Sequence, residues 1–285
     1  MSEIQSIQVS PHGAELQSLI ANGREYLWQG NPAFWGRRAP ILFPIVGRLA
    51  NDTLRIDGCE YTMKQHGFAR DTEFIHREGK YVLAEDGRDN YPYAYELSVC
   101  YAIEGNNLMC DWQVKNCGAK TMYFHIGAHP AFILPDYNAA DEIHGYIQCF
   151  DAYDNTVSPL LFNSLEEGLR VPYGIPKALL NEKAILALTN TTFVNDAILI
   201  ETKQVAKMAL LNKQGKRVLI VSCHQAEAFG IWAPNKFGCP FVCIEPWCGI
   251  ADRDGFRGDI SERDYIHGIV PNETFEFNYS ITIAE

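Results

Sequence analysis

Short apolar–polar alternations, separated by tight turn signals, constrain the fold of this chain more than any other feature. Residues 275–283 place an apolar side chain at every odd position and a polar one at every even position, which is the period-2 pattern of a half-buried strand. Asn22-Gly23 and Asp57-Gly58 each separate two strand-like segments, and such pairs supply the positive φ that antiparallel hairpins need. Because helical periodicity is scarce, the pattern predicts an all-β fold, an antiparallel sandwich.

The length of 285 residues lies near the size at which one hydrophobic core stops growing, so length alone leaves one domain or two open. The chain has no Pro/Gly/Ser-rich linker, no block of like charges and no obvious short repeat. The number of predicted strands fits one large domain. We therefore expect a single domain over residues 1–285.

The charge balance argues against two classes of partner. A net charge of −11 gives no excess of Lys and Arg for nucleic-acid phosphates or for an anionic membrane surface. No segment approaches the roughly 20 apolar residues of a membrane-spanning helix, and residues 1–10 lack the features of a secretory signal. The nine cysteines form no Cys-x-x-Cys pair, which favours free thiols in a reducing compartment. We expect a cytoplasmic protein with a small-molecule partner; the oligomeric state is not set by the sequence.

Two apolar runs each end in an ionisable residue followed by proline, at His129-Pro130 and at Glu245-Pro246. Because proline lacks the backbone donor that a central strand needs, we expect each strand to end there and both side chains to line a cleft. A histidine and a carboxylate facing one cleft can perform general acid–base catalysis. Two alternatives stay open: His129 as a hydrogen-bonded core histidine, and Glu245 as the partner of a structural ion pair.

The strand pattern also predicts which neighbours share a face with these two residues. His125 is expected on the face of His129, so a metal site is a further alternative, although no Cys or carboxylate follows at the usual ligand spacing. Glu245 is expected to share its face with Cys243, while Val242 and Ile244 point the other way.

Residues 34–70 form a basic segment, with six basic and three acidic residues in a chain that is acidic overall. Arginine forks hold hydroxyl, carboxylate or phosphate oxygens, although a solvated rim is the plainer interpretation of any one of them. His66 lies in a glycine-containing turn, where a polar side chain can reach a ligand. Four tryptophans are candidates for stacking on a sugar face, with a core role as the alternative: Trp28, Trp35, Trp232 and Trp247.

Several motifs are absent from the sequence. It contains no Gly-x-Gly-x-x-Gly, no Walker A loop, no Gly-x-Ser-x-Gly elbow and no His-Glu-x-x-His. We therefore expect no nucleotide cofactor and no serine hydrolysis.

Five motifs in order along the chain resemble those of one family. The first is the run Gly23–Trp28 followed by Pro40–Asn51, and the others are His66–Arg70, Tyr91-Pro92-Tyr93, His129–Phe132 and Cys243–Trp247. The chain is identified by them as similar to the aldose 1-epimerase (galactose mutarotase-like) family, and within it to the LacX-type branch. The resemblance implies a β-supersandwich with an open cleft and a reaction that needs neither cofactor nor metal.

The resemblance also implies roles for residues. Glu245 matches the general base, His129 the general acid, His66 a histidine that contacts the sugar, and Arg48 a substrate-holding arginine. The Ala-His-Pro context of His129 resembles the LacX and hexose-6-phosphate mutarotase branches. The Gln-His-Gly-Phe-Ala-Arg context of His66 resembles the phosphosugar branch, and Arg70 would also bind substrate.

The leading hypothesis is therefore an aldose 1-epimerase that interconverts α and β anomers of a hexose. One alternative is a mutarotase of hexose 6-phosphate, motivated by Arg37, Arg38 and Arg70. A second is a carbohydrate-binding protein without turnover, for which an acid–base pair is unnecessary. A third, glycoside hydrolysis, requires two carboxylates at the site, and only Glu245 stands out in the sequence.

Overall fold

The computed structural model describes residues 3–158, 160–161, 165–171, 177–178 and 185–284. Regular structure in these ranges is almost entirely β, and all paired strands are antiparallel, which confirms the predicted fold class. The helical turns in this part of the chain are short 3₁₀ segments at Ala50–Asp52, Ala69–Asp71 and Ile260–Glu262. A search of the same residues finds no helix with the length and apolar character that crossing a membrane requires.

The strands, numbered in chain order, vary from two to ten residues. They are β1 Ile4–Val9, β2 Leu16–Ala21, β3 Arg24–Glu25, β4 Ile41–Leu42, β5 Thr53–Ile56, β6 Cys59–Thr62, β7 Ile75–Arg77, β8 Lys80–Glu85, β9 Tyr95–Glu104, β10 Asn107–Asn116, β11 Met122–Phe124, β12 Ile126–Ala128, β13 Ala131–Ile133, β14 Gly145–Phe150, β15 Leu160–Leu161, β16 Leu165–Glu166, β17 Leu169–Arg170, β18 Lys177–Ala178, β19 Ile185–Leu188, β20 Ile198–Glu201, β21 Lys207–Leu211, β22 Arg217–Ser222, β23 Ala228–Trp232, β24 Phe241–Cys248, β25 His267–Ile269 and β26 Thr274–Ile283.

Two sheets dominate the architecture. A nine-stranded sheet has the order β19-β14-β21-β22-β26-β10-β9-β8-β7, and a six-stranded sheet has the order β20-β23-β24-β12-β4 with β13 paired to β24. One large apolar cluster draws on both, for example Trp112 and Phe277 from the first sheet and Phe229 and Ile244 from the second. The two sheets therefore bury a shared core between them.

The turn and alternation signals in the sequence are confirmed. Asn22-Gly23 joins β2 to β3 and Asp57-Gly58 joins β5 to β6, and all four residues have φ between 50° and 78°. In β26 the side chains at 277, 279, 281 and 283 are buried, as the period-2 pattern predicted.

Strand β24 has two different faces. Val242 and Ile244 belong to the large core between the sheets, whereas Phe241 and Cys243 belong to a smaller cluster on the outer face of the six-stranded sheet. This alternation was predicted from the sequence, and it places Glu245 on the outer face.

The prediction that proline ends both strands is right for one and wrong for the other. β12 ends at Ala128, just before His129-Pro130, but β24 continues through Pro246 to Cys248. The pairing of β24 to β13 stops at Cys243 and its pairing to β12 begins at Trp247. Pro246 falls between these two ladders, so its missing N–H costs the sheet little.

Candidate active site

A cavity of about 380 Å³ lies on the outer face of the six-stranded sheet. Among the residues that line it are Trp35, Arg37, His66, Arg70, His129 and Glu245. Four of the five residues predicted for the site therefore meet in one cavity, and Arg48 is not part of its wall.

His129 and Glu245 form the centre of this cavity. His129 Nε2 lies 3.1 Å from Glu245 Oε2, and both side chains are buried. The imidazole stacks on Trp35 with ring centroids 4.9 Å apart, and Trp232 meets it edge-on at 5.7 Å. His129 follows the end of β12, and Glu245 lies in β24, which pairs with β12. Neighbouring strands of one sheet therefore hold the two residues.

Neither residue has its polar atoms satisfied. The 3.1 Å contact lacks the alignment of a hydrogen bond, and His129 Nδ1 and Glu245 Oε2 have no hydrogen-bond partner within the described ranges. Buried polar atoms in native proteins are normally paired. In the wall of a cavity, such atoms are suited to receive the hydroxyl groups of a polar ligand.

Burial shifts the pKa values of the pair in opposite directions. Burial, assisted by the charge of Asp196, raises the pKa of the Glu245 carboxyl well above its usual range, against a smaller effect of Trp247. Burial and the charge of Arg70 lower the pKa of His129 to about 3. The cavity thus favours a neutral pair, whereas the base and acid roles that the resemblance implies require an ionised glutamate beside a protonated histidine. The two forms hold the same single titratable proton and differ only in which of the two residues carries it.

His66 is held in a strained turn that only certain neighbours permit. Its φ is 67°, and its Nδ1 accepts a hydrogen bond of 3.1 Å from the Gly47 N–H. A Cβ on Gly47 would come within 2.4 Å of Ala251, and one on Gly67 within 2.2 Å of the Phe43 carbonyl oxygen. Glycine is therefore required on both sides of the histidine contact.

The electrostatics of His66 define what it can offer a ligand. Burial, together with the charges of Arg70 and other neighbours, lowers the pKa of His66 well below its usual value, so the ring is neutral. Because Nδ1 is the acceptor, the proton of the neutral ring resides on Nε2. His66 is thus a hydrogen-bond donor in the cavity wall.

Two of the three candidate phosphate-binding arginines line the cavity. Arg70 is tied to the Gln65 carbonyl oxygen at 2.6 Å, and its Nε has no hydrogen-bond partner in the described part of the chain. Burial and the charge of Arg37 lower the pKa of Arg70 to about 10, so the guanidinium stays charged at neutral pH. Arg37 binds Asp71 at 2.8 Å. Arg38 does not line the cavity and binds the Gln29 carbonyl oxygen instead.

Arg48 lies behind the loop that follows β16. Its Nη1 donates to the Glu167 carbonyl oxygen at 2.9 Å, and its Nε lies 3.1 Å from Asp52 Oδ1. The neighbouring Gly168 lines the cavity. The structure therefore gives Arg48 contacts with a loop of the cavity wall rather than with the cavity itself.

The structure adds one acidic residue to the site. Asp196 lines the cavity just before β20, with φ of 70° and its Oδ1 accepting from the Ala197 N–H at 2.8 Å. Asp196 is an ionisable residue just before an apolar strand, as His129 is one just after an apolar strand. The same kind of sequence pattern could therefore have indicated it. Of the four tryptophans considered, Trp35, Trp232 and Trp247 line the cavity and Trp28 does not.

His125 does not accompany His129. The chain leaves β11 at Phe124 and enters β12 at Ile126, and these strands belong to different sheets. The His125 ring turns to the Asp264 carbonyl oxygen, 3.1 Å from Nε2. The expected shared face is wrong because the run is two strands rather than one.

His129, Cys243 and Glu245, here the pocket group, also place three possible metal ligands close together. Their ligand atoms lie within 4.8 Å of one another, although no such spacing is visible along the sequence. The nearby charges of Arg70 and Arg37, which lower the pKa of His129, also oppose a dication at this point.

Comparisons with known proteins agree on one family. The sequence profile described as Aldose 1-epimerase matches residues 3–253. Two forms of Protein LacX from Lactococcus lactis subsp. lactis, chromosomal and plasmid, are each 30% identical over 301 residues, covering 99% of this chain and 97% of theirs.

Solved structures give the same result. A galactose mutarotase related enzyme from Lactobacillus acidophilus has a TM-score of 0.86 at 31% identity, covering 100% of this chain and 98% of that one. A galactose mutarotase-like protein from Lactobacillus casei has a TM-score of 0.89 at 25% identity, covering 100% and 99%.

Proposed function

The chain belongs to the aldose 1-epimerase family, and from that premise we propose that it is a mutarotase that interconverts the α and β anomers of a hexose. The observation that carries the proposal is the 3.1 Å contact between His129 Nε2 and Glu245 Oε2 in the cavity wall. The anomeric hydroxyl and the ring oxygen of an aldose are bonded to the same carbon. An acid and a base that act on both must therefore lie next to each other.

In the proposed reaction Glu245 removes the proton of the anomeric hydroxyl while His129 donates a proton to the ring oxygen. The bond between the anomeric carbon and the ring oxygen breaks, and the hydroxyl becomes a carbonyl. After rotation about C1–C2, His129 regains its proton from the ring hydroxyl and Glu245 returns one to the carbonyl oxygen. The pair begins and ends with one proton, so the cycle needs no other reactant.

The rest of the cavity wall supports a sugar ligand. Neutral His66 is placed to donate a hydrogen bond from Nε2, and Asp196 to accept hydrogen bonds from hydroxyl groups. Trp35, Trp232 and Trp247 offer apolar surface, which suits the C–H face of a pyranose ring.

A phosphorylated hexose is the second candidate substrate. It is favoured by the pair Arg37 and Arg70 in the cavity wall and by Arg70 Nε, which makes no hydrogen bond in the described residues and lies 3.9 Å from Asp71 Oδ2. Arginine binds phosphate oxygens through charge-assisted hydrogen bonds. His129 and Glu245 would act in the same way on a hexose or on its 6-phosphate, and Arg37 and Arg70 would bind the phosphate of the latter.

The test compares both substrate classes in one assay. We would measure anomer exchange by NMR for glucose, galactose and their 6-phosphates, with wild type, Glu245→Gln and the matched control His144→Asn. His144 is also a buried histidine, bound to Asn190 and outside the cavity. Acceleration that Glu245→Gln abolishes and His144→Asn retains supports the proposal.

Other outcomes point elsewhere. Saturable sugar binding with no acceleration would identify a binding protein and contradict the proposed enzyme. Because Asp196 gives the cavity a second carboxylate, aryl glycosides are included in the panel, and we expect no cleavage. Preference for a 6-phosphate that Arg70→Gln removes would select the second candidate.

A further inference from the structure

A second group of one glutamate, one cysteine and one histidine lies outside the cavity. Glu227, Cys248 and His267, here the rear group, have ligand atoms that all lie within 4.8 Å of one another. None of the three lines the cavity of the candidate active site.

Strands β24 and β25 and the residue before β23 bring the rear group together. Cys248 is the last residue of β24 and belongs to the core between the sheets, on the opposite face from Cys243. Glu227 precedes β23, and its N–H donates to the Trp247 carbonyl oxygen at 2.9 Å, which places it beside Cys248. His267 begins β25 and pairs with Phe124 of β11.

We propose that Glu227, Cys248 and His267 form a binding site for a divalent transition-metal ion of the zinc type. Thiolate sulfur, imidazole nitrogen and carboxylate oxygen are the three ligand types that zinc uses in proteins. A mixed set of this kind excludes magnesium and calcium as preferred occupants, because they select oxygen ligands.

The spacing of two ligands already fits such an ion. His267 Nε2 and Glu227 Oε2 are 3.3 Å apart. Nitrogen and oxygen ligands about 2.0–2.2 Å from a tetrahedral zinc ion are roughly 3.3–3.5 Å from each other. The ion would replace the direct contact between these two side chains.

Charge also balances at the rear group. A Cys248 thiolate and the Glu227 carboxylate supply two negative charges, and neutral His267 supplies none, so a dication leaves the site neutral. The thiol, which now donates to the Gln225 carbonyl oxygen, gives its proton to solvent on binding. Lys203 lies near the other carboxylate oxygen, 3.6 Å from Oε1, and leaves Oε2 to the metal.

The group is both supported and reachable. The ring of His267 packs against Phe275 and Phe124, with centroids 4.5 and 6.0 Å away, which restricts its orientation. The side chains of Glu227 and His267 are 13% and 20% exposed, while Cys248 is buried. Solvent therefore reaches the Glu227 and His267 side chains, and a water molecule could complete a four-ligand site.

The test uses the full chain without an affinity tag, after treatment with a chelator. Zinc is titrated by calorimetry, and cobalt(II) by absorption, since a cobalt–thiolate bond gives a charge-transfer band. We expect one equivalent of metal and a thiolate band in wild type. Cys248→Ser should abolish the band. His267→Gln removes a direct ligand and should weaken zinc binding at least about ten-fold, since the loss of an outer-shell partner already costs about that much.

Cys243→Ser is the matched control, because it removes the thiol of the pocket group from the same strand. It should keep both the band and the zinc affinity. A band lost in Cys243→Ser and kept in Cys248→Ser would overturn the proposal, as would wild type that binds neither metal saturably. If Cys248→Ser does not fold, unchanged zinc binding in His267→Gln, at the partly exposed position, overturns it as well.

Discussion

The pocket group and the rear group contain the same three residue types and share one strand, yet their surroundings differ. Cys243 and Glu245 point to the outer face of β24, and Cys248 points to the core face. The period-2 alternation of a strand thus separates two groups that are close along the chain.

What surrounds each group sets its chemistry. His129 and Glu245 of the pocket group line a cavity together with three tryptophans, and Arg37 and Arg70 add positive charge near His129. At the rear group, Lys203 lies 3.6 Å from Glu227 Oε1, while His267 contacts the other carboxylate oxygen, Oε2. Residue type alone would predict the same ligand for both; cavity and charge favour a sugar at one and a dication at the other.

The largest expected effect tests the catalytic half of this comparison. Glu245→Gln and His129→Asn should each lower the rate of anomer exchange by about 10²–10⁴-fold, since each removes a positioned acid or base. The double variant should lose little more than either single one, because the two residues act as one unit. NMR exchange rates measure all three. Losses that simply multiply would show that the residues act independently and would break the picture of a single proton-sharing pair.

Arg70→Met tests the charge that distinguishes the pocket group. We expect the KM for whichever substrate is accepted, the hexose or its 6-phosphate, to rise by about 10–100-fold with little change in kcat. The reason is that a hydrogen bond to a charged group contributes roughly 1.5–3 kcal/mol to binding. Arg48→Met is the comparison variant, and its contacts with Glu167 and Asp52 lie behind the cavity wall, so its effect on KM should be smaller. The reverse order of effects would return Arg48 to the role that the sequence motif implies.

The pH dependence of the free energy of unfolding should reflect the buried carboxyl group of Glu245. The pKa of Glu245 is raised, so the folded chain keeps a proton that the unfolded chain loses above about pH 4.5. The free energy of unfolding should therefore fall as pH rises from that point, by up to about 1.4 kcal/mol per pH unit. Glu245→Gln removes this loss and should become the more stable protein as pH rises. Urea unfolding at several pH values measures the difference, and equal slopes for both proteins would contradict the shift.

His129 should act in the opposite direction on the acid side. Its pKa is lowered from 6.5 to about 3, so the unfolded chain binds a proton before the folded chain does. The stability that neutral His129 maintains is complete above about pH 6.5 and declines as pH falls towards 3. The same urea series with His129→Asn, which cannot take up that proton, should show a shallower acid decline than wild type.

The sequence predicted the parts of this molecule that depend on local pattern. Hairpin turns at 22–23 and 57–58 and the alternation in β24 follow from backbone sterics and a two-residue period, which a sequence displays directly. His129 and Glu245 could be identified as candidates because each directly precedes a proline, which the sequence also displays directly. The continuation of β24 through Pro246 was not, because it depends on which neighbouring strand pairs at that point.

The features that the sequence did not predict depend on contacts between distant segments. Asp196 reaches the cavity because β20 is the edge strand next to β23, which is a property of sheet order. The rear group joins residues from two strands and from the position before a third, so no ligand spacing along the sequence indicates it. Arg48 lies in a motif that suggested substrate binding, and only the path of the loop at residues 165–170 shows what it contacts.

The smallest expected effect concerns communication between the two groups. Because they lie on opposite faces of β24, zinc bound at the rear group should leave the rate of anomer exchange within about twofold of the metal-free protein, a change in barrier of less than about 0.5 kcal/mol. The rate is measured with and without one equivalent of zinc, in wild type and in Cys248→Ser. Inhibition that persists in Cys248→Ser would mean that zinc reaches His129 and Glu245, so the arginines do not protect the pocket group. Inhibition that disappears in Cys248→Ser would mean that β24 couples its two faces, and the groups would then have to be treated as one system.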